Sequence, residues 1–173
     1  MRVSVFIATS LDGFIARTNG DLDWLPEAPE DHGYDAFMDT VDTVVMGRHT
    51  YEKVLTFGAW PFTKPVVVLT SRPMIPPPDG AAVTAMHGTP SEIVAALAAT
   101  GVQSIYLDGG VTVQRFLAAG LLDRLIVTRI PVLLGSGLPL FGALSTDLRW
   151  RHVRTASWPS GLVQSEYVRA EAP

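Results

Sequence analysis

Four short apolar runs, separated by longer segments of mixed character, constrain the fold of this chain most strongly. They are residues 3–9 (VSVFIAT), 43–46 (TVVM), 65–70 (PVVVLT) and 104–107 (SIYL). Runs rich in Val and Ile with little polar alternation are typical of strands that are buried on both faces of a parallel sheet. Parallel strands need long crossover connections, and the intervening segments can supply helices. The pattern therefore predicts an α/β fold.

Helices and further strands fill the remaining segments. We expect helices at residues 36–38, 50–56, 89–99 and from Asp108-Gly109-Gly110 to residue 118, and strands at residues 81–86 and 121–130. Thr50 and Thr89 can cap their helices, whereas residues 12–29 and 131–141 read as loops. Residues 149–157 and 162–169 alternate enough to form an antiparallel hairpin. The prediction is one domain over residues 1–173 with a mixed, mostly parallel sheet and an antiparallel C-terminal hairpin.

Composition excludes several classes of function. Hydrophobic residues make up 47% and charged residues 17% of the 173 residues, so we expect an ordered chain. The formal net charge of −4 gives no general attraction to nucleic acid or to an anionic membrane. The absence of cysteine excludes disulfides and thiolate sites. The N-terminus has too short an apolar run for a signal peptide, and no segment is long enough to span a membrane. We expect a cytoplasmic protein that binds neither nucleic acid nor membrane.

Two polar segments follow predicted strands and favour an anion site. They are Gly47-Arg48-His49-Thr50 and Thr70-Ser71-Arg72. Ligands of open α/β sheets bind beyond the carboxyl ends of the strands, so both segments should lie at that edge. Guanidinium groups and hydroxyls suit a phosphate monoester. The alternative is that the arginines are solvated surface charges.

A glycine-rich turn follows the fourth apolar run. In Asp108-Gly109-Gly110-Val111-Thr112, two glycines would allow close backbone approach to a ligand, and the next helix would offer free N–H donors to a phosphate. The same residues are also compatible with a simple tight turn. The segment matches neither the dinucleotide fingerprint nor the P-loop.

Acidic and aromatic side chains suggest a reactive cleft. Glu30, Asp31 or Asp35, near the helix that leads to Phe37, could place a carboxyl in the cleft, where burial would raise its pKa. Trp24 could form a wall for a flat ring. The four histidines lack metal-binding spacing, so no metal site is expected. The sequence also lacks the G-x-S-x-G motif that would indicate a hydrolase.

Four motifs in this order resemble the dihydrofolate reductase superfamily. They are Ser10-Leu11-Asp12-Gly13-Phe14-Ile15-Ala16, Met46-Gly47-Arg48-His49-Thr50-Tyr51-Glu52, Leu69-Thr70-Ser71-Arg72 and Asp108-Gly109-Gly110. The first motif is similar to the branch that contains the C-terminal reductase domain of bifunctional riboflavin-biosynthesis deaminase-reductases. The resemblance covers nearly the whole chain and implies a three-layer fold of the dihydrofolate reductase type.

The resemblance also implies NADPH as cofactor and assigns residues to it. Arg48, Ser71 and Arg72 correspond to the residues that hold the adenosine 2′-phosphate, beside Gly47, His49, Thr50 and Thr70. Gly109, Gly110, Val111 and Thr112 correspond to the pyrophosphate turn, and Ala8, Ile15 and Ala16 to the nicotinamide site. Trp24, Phe37 and Thr128 would face the substrate, and Asp12, Asp31, Asp35 and Thr128 are the candidate catalytic residues. For Asp12, ordering of its loop is the favoured alternative.

The resemblance leads to one main hypothesis and two alternatives. The main hypothesis is a stand-alone, homodimeric NADPH-dependent reductase that transfers hydride to a C=N or C=O carbon of a pterin-like, aminopyrimidine or ribosylamine-type molecule. A non-catalytic nucleotide-binding module would keep the phosphate contacts without an acid in the cleft. A dimeric interaction protein would leave the arginines to solvent and bind no nucleotide.

Overall fold

The computed structural model describes residues 1–27 and 31–170 and has a large central sheet. The strands are β1 (Arg2–Thr9), β2 (Phe14–Ala16), β3 (Thr43–Gly47), β4 (Val66–Leu69), β5 (Val83–Met86), β6 (Ser104–Asp108), β7 (Arg124–Arg129), β8 (Leu138–Pro139), β9 (Trp150–Ser157) and β10 (Val163–Arg169). The helices are α1 (Tyr34–Met38), α2 (Arg48–Val54), α3 (Pro90–Ala99) and α4 (Gly110–Ala118), and a 3₁₀ turn at Leu55–Phe57 continues α2.

The central sheet has eight strands in the order β5-β4-β3-β6-β1-β7-β10-β9. The first six strands in this order, β5 through β7, pair in parallel with their neighbours. In contrast, β10 pairs antiparallel with both β7 and β9. The predicted fold class, a mostly parallel sheet with an antiparallel C-terminal hairpin, is therefore confirmed.

Helices cover both faces of the sheet and create two apolar cores. Ile93 of α3 and Phe116 of α4 are buried on one face, and Phe37 of α1 and Tyr51 of α2 are buried on the other. The two-residue period of a strand sends neighbouring side chains of β3 to opposite cores. This arrangement confirms the three-layer architecture and explains the continuous apolar runs, because both faces of each central strand are covered.

A small second sheet lies in segments that the sequence predicts to be loops. In the β2–β8 pair, Phe14 pairs with Pro139 and Ala16 with Leu138. Strands of three and two residues, flanked by Gly and Pro, are too short to show a periodic pattern. The pair nevertheless joins the segment after β1 to the segment after β7.

Of the two predicted helix caps, Thr89 is confirmed and Thr50 is not. Thr89 caps α3 in a capping box, and its Oγ1 accepts the Glu92 backbone N–H at 3.3 Å. The predicted start of α2 was wrong, because the helix begins at Arg48 after an extended Gly47, and Thr50 lies within its first turn. No helix in the described part of the chain has the length and apolarity needed to cross a membrane.

Candidate functional site

The strand register brings the predicted segments together at one edge of the sheet. Gly47 at the end of β3 pairs with Leu69 of β4, and Met46 pairs with Asp108 at the end of β6. Further along the same edge, Ala8 of β1 pairs with Thr128 of β7. The carboxyl ends of five central strands therefore form one continuous cleft edge, as parallel pairing requires.

A basic pocket of about 460 Å³ opens at the ends of β3, β4 and β5. Its lining consists of Arg48, His49, Leu69, Thr70, Ser71, Arg72, His87, Gly88 and Arg115. The structure thus brings together the two segments that the sequence predicts for a phosphate, and it adds three residues that the sequence does not reveal. Arg115 in the middle of a helix reads as an ordinary solvated charge, because nothing in the linear pattern places it beside β4.

The arginines of the basic pocket differ in their partners. The Nε of Arg48 donates to Oε1 of Glu52 at 2.6 Å, within α2. Nη2 of Arg115 donates to the carbonyl of Gly88 at 3.0 Å. The Thr70 hydroxyl accepts the Arg72 backbone N–H at 3.0 Å and so shapes the turn that presents Arg72. A guanidinium has five N–H donors, so each arginine keeps donors for an anion.

The glycine-rich turn packs too closely for larger residues. Gly109 has a φ of +90°, and a Cβ there would collide with the Thr50 hydroxyl. A Cβ on Gly47 would lie 2.9 Å from the Thr112 hydroxyl oxygen. The starts of α2 and α4 therefore meet through glycine backbone, and the first N–H groups of α4 remain at a site where a diphosphate could approach. Val111, at the second position of α4, is 70% exposed beside this turn.

The nicotinamide candidates lie where β1, β2 and α4 meet. Ala8 and Ile15 are partly buried and Ala16 is buried. A Cβ on Gly110 would lie 2.8 Å from Cδ1 of Ile15, so β2 is packed against the start of α4. This contact places Ile15 next to the glycine-rich turn.

Asp12 connects two loops at this edge. Its carboxylate accepts the Ser10 hydroxyl at 2.6 Å and the backbone N–H groups of Leu134 at 3.2 Å and Gly135 at 2.8 Å. The Ser10 and Gly135 donors hold the pKa of Asp12 below its ordinary value, against a smaller opposing effect of desolvation. This geometry suits the loop-ordering alternative, because a carboxylate that is kept ionised is a poor proton donor.

The predicted carboxyl at the start of α1 is not buried. Asp31 and Asp35 are both exposed, and Asp31 accepts the Gly33 backbone N–H at 2.7 Å. The expectation that one of these two carboxyls is buried in the cleft was therefore wrong, because Asp31 precedes α1 and Asp35 is exposed in its first turn. Glu30, the third candidate, lies outside the described residues.

Asp108 is a carboxyl at this edge, at the carboxyl end of the central strand β6. Protein surrounds it on most sides, yet part of the residue reaches the surface. Burial raises the pKa of Asp108 to about 6, although the Gly109 N–H, which donates to Oδ1 at 2.8 Å, acts in the opposite direction. The sequence showed Asp108 only as part of a glycine turn, and its position at the end of a central strand was the available signal.

Two tyrosines border Asp108. Burial raises the pKa of Tyr34 to about 12, and the negative charges of Asp108 and Asp35 add to the effect. Tyr106 donates its hydroxyl to the carbonyl of Phe6 at 3.0 Å, and burial raises its pKa as well. Both phenols therefore stay neutral, and Asp108 lies beside uncharged aromatic side chains.

The predicted substrate residues come from α1, from β7 and from the segment after β2. Phe37 is buried, with its ring centroid 5.1 Å from the rings of both Phe6 and Tyr106. Thr128 is buried, and its hydroxyl accepts the Gln164 side-chain amide at 3.0 Å. The indole N–H of Trp24 is buried and has no hydrogen-bond partner within residues 1–27 and 31–170. Since buried donors are normally paired, this N–H is available to a bound molecule.

Comparison with known proteins identifies the family. Residues 2–164 match the family described as the RibD C-terminal domain, and the chain belongs to this family. An uncharacterized Bacillus subtilis (strain 168) protein, YwjB, is 39% identical over 96% of this chain and 97% of its own. A crystal structure of a candidate riboflavin biosynthesis protein from Shewanella sp. PV-4 has a TM-score of 0.92 at 41% identity, covering 99% of this chain and 100% of the other.

A more distant structure defines the fold class. Dihydrofolate reductase from Enterococcus faecalis, in complex with NADP(H), superposes with a TM-score of 0.65 at 21% identity over 98% of this chain and 97% of its own. The likeness establishes a dihydrofolate-reductase-like fold. Together with the family match, it places this chain in the RibD C-terminal branch of proteins with this fold.

Proposed function

We propose that this protein is an NADPH-dependent reductase acting on a pterin-like, aminopyrimidine or ribosylamine-type small molecule. The observation that supports this most is a single arrangement: the basic pocket, the glycine-rich turn and the Asp108 carboxyl all lie at the same edge of the sheet. Cofactor binding and a proton source would then lie at adjoining positions, which hydride transfer to a C=N or C=O carbon needs.

The residues of the edge fit NADPH in three parts. Arg48, Ser71 and Arg72 would hold the 2′-phosphate, with Gly47, His49, Thr50 and Thr70 shaping the surrounding turns. Gly109, Gly110, Val111 and Thr112 would accept the pyrophosphate at the start of α4, and Ala8, Ile15 and Ala16 would contact the nicotinamide. When bound, NADPH supplies the hydride. The collisions that a side chain would cause at Gly109 and Gly110 support this fit.

Asp108 is the proposed proton donor. Its Oδ1 is occupied by the Gly109 N–H, so the proton would reside on Oδ2. Thr128 and the indole N–H of Trp24 would orient polar atoms of the substrate, and Phe37 would support the aromatic wall of the cleft. Asp12 would order the loops around the nicotinamide site. Asp31 and Asp35 are exposed and receive no role in proton transfer.

A turnover assay tests the proposal. Purified protein is incubated with NADPH and a panel of dihydropterins, aminopyrimidines and their ribosylamine derivatives, and loss of NADPH absorbance is followed with identification of the product. Substrate-dependent oxidation that disappears in the Asp108→Asn variant is the expected result. Saturable NADPH binding without oxidation across the panel would contradict catalysis and favour a nucleotide-binding module. Absence of nucleotide binding would favour an interaction protein.

The assembly and location belong to the same proposal. We expect a homodimer in the cytoplasm, as the resemblance to the riboflavin-pathway reductases implies. Sedimentation velocity of the purified chain measures the assembly directly. A monomer across the whole accessible concentration range would contradict the dimer without affecting the proposed chemistry.

A further inference from the structure

Arg115 lies on the same helix as the glycine-rich turn but lines the basic pocket. With a helical rise of about 1.5 Å per residue, its Cα is about 7.5 Å along the axis of α4 from that of Gly110. The hydrogen bond from Nη2 to the Gly88 carbonyl fixes the guanidinium against the connection between β5 and α3. One helix therefore contributes both its N-terminal N–H groups and a positive side chain to neighbouring parts of the edge.

The charge balance of the basic pocket gives Arg115 particular weight. Arg48 is paired with Glu52 at 2.6 Å, so part of its charge is already compensated. Among the described residues, neither Arg72 nor Arg115 forms an ion pair with a carboxylate. A dianionic ligand group in the pocket would therefore meet its uncompensated positive charge at Arg72 and Arg115, which come from different elements of the structure.

We propose that Arg115 is a specificity-determining residue that selects an adenosine bearing a 2′-phosphate over one that lacks it. The inference rests on the proposed NADPH site and extends it to a side chain of α4. Arg115 and Arg72 would contact the phosphate from α4 and from the turn after β4, and Arg48, which Glu52 also holds, would contact it from the start of α2. Planar, bidentate hydrogen bonding makes a guanidinium suitable for this role.

Calorimetric titration with two nicotinamide-free probes tests the assignment. Adenosine 2′,5′-bisphosphate carries the 2′-phosphate and AMP does not. The Arg115→Gln variant should bind the bisphosphate about tenfold or more weakly, the effect of one charge-assisted hydrogen bond, and AMP within about twofold of the wild type. The Glu52→Gln variant should bind the bisphosphate more tightly, because it releases Arg48.

Arg151→Gln is the matched control. Arg151 is an exposed arginine of β9, at the opposite edge of the sheet from β4 and β5. Arg151→Gln removes the same formal charge as Arg115→Gln. If its affinities for both probes equal those of the wild type, the effect of Arg115→Gln comes from the pocket and not from the net charge. Circular dichroism of each variant checks that the fold is retained.

The outcomes separate this inference from the proposed function. Selective loss of the bisphosphate supports Arg115 whether or not the wild-type protein later shows turnover. If the wild type binds NADPH but Arg115→Gln weakens both probes equally, or changes neither affinity, the role proposed for Arg115 would be overturned. The reductase proposal would remain intact. A wild-type protein that binds neither probe nor NADPH would overturn both.

Discussion

Asp108 combines a raised pKa with access to the cleft, and this combination makes a pH dependence expected. A carboxyl with a pKa of about 6 holds its proton below that pH and loses it above. If Asp108 donates the proton, kcat of the wild type should fall as pH rises through about 6, by about tenfold per pH unit well above the pKa. Steady-state kinetics across the range with saturating NADPH measures this profile.

The Asp108→Asn variant tests whether Asp108 causes this pH dependence. It keeps the shape of the side chain but has no proton to donate, so kcat should fall by about 10²–10⁴-fold and the residual rate should lose the transition near pH 6. NADPH affinity should stay close to that of the wild type. A variant with the wild-type rate and profile would exclude Asp108 as the donor.

Single residues differed in how far the sequence could place them. Arg48 and Arg72 directly follow strands, so their position at the sheet edge follows from parallel pairing. Arg115 reaches the basic pocket only through the packing of α4, which no local pattern encodes. For the acid, linear reasoning favoured the charge-rich segment before α1, whereas the proposed Asp108 depends on burial, which alters a pKa and is set by the whole fold.

At the scale of elements, the junction between α2 and α4 depends on Gly109. Gly101 offers a comparison, because both have a φ of +90° but a Cβ on Gly101 would meet no atom within 4 Å, whereas Gly109 also has a ψ of 136° that only glycine adopts readily. Gly101→Ala should therefore cost only the backbone strain, about 1–2 kcal/mol. Gly109→Ala should cost at least about 1 kcal/mol more, because the new methyl also collides with Thr50. Urea denaturation measures both free energies of unfolding.

Replacement of Thr50 separates the cost of backbone strain from the cost of the collision with the Thr50 side chain. In a Thr50→Ala background, the extra cost of Gly109→Ala over Gly101→Ala should shrink, because the colliding hydroxyl is gone. Equal costs for the two glycines in the wild-type background would show that the junction relaxes freely and does not enforce glycine.

The connection between the loops after β1 and β7 depends on Asp12. Asp12→Ala removes the acceptor of the Leu134 and Gly135 amides, so hydrogen exchange of these amides should accelerate about three- to tenfold. NMR-detected exchange measures it. Asp31→Ala, which removes an exposed carboxylate bound to the Gly33 amide, serves as the control and should leave Leu134 and Gly135 unchanged. Unchanged exchange in Asp12→Ala would mean that the loops are held by the β2–β8 pair alone.

Elements with long apolar runs were predictable, and short ones were not. β1, β3, β4 and β6 are continuous β-branched runs, and the box at Thr89 marks the start of α3 by local chemistry. β2 and β8 form only because distant loops meet, so their two- and three-residue strands have no local signature. The start of α2 was misread because Thr50 is a good cap in isolation, whereas in the structure it lies within the first turn of α2 and packs against Gly109.

At the scale of the whole molecule, the charge of the chain and the charge of its candidate site have opposite signs. The formal net charge is −4, yet the basic pocket is lined by three arginines and two histidines. A local positive site in an acidic protein favours a small anionic ligand over an extended polyanion. Average composition predicts no nucleic-acid binding, but only the sheet topology locates the positive residues beside one another.

The central claim is that this edge of the sheet binds NADPH through its 2′-phosphate. Tryptophan fluorescence titration with NADPH and NADH, in the wild type and in Arg48→Ala, tests it most directly, with calorimetry as a second readout. The account predicts micromolar NADPH binding, clearly weaker NADH binding, and a loss of about tenfold in Arg48→Ala for NADPH with little change for NADH. Equal affinity of the wild type for both cofactors, or no saturable binding by either method, would contradict it.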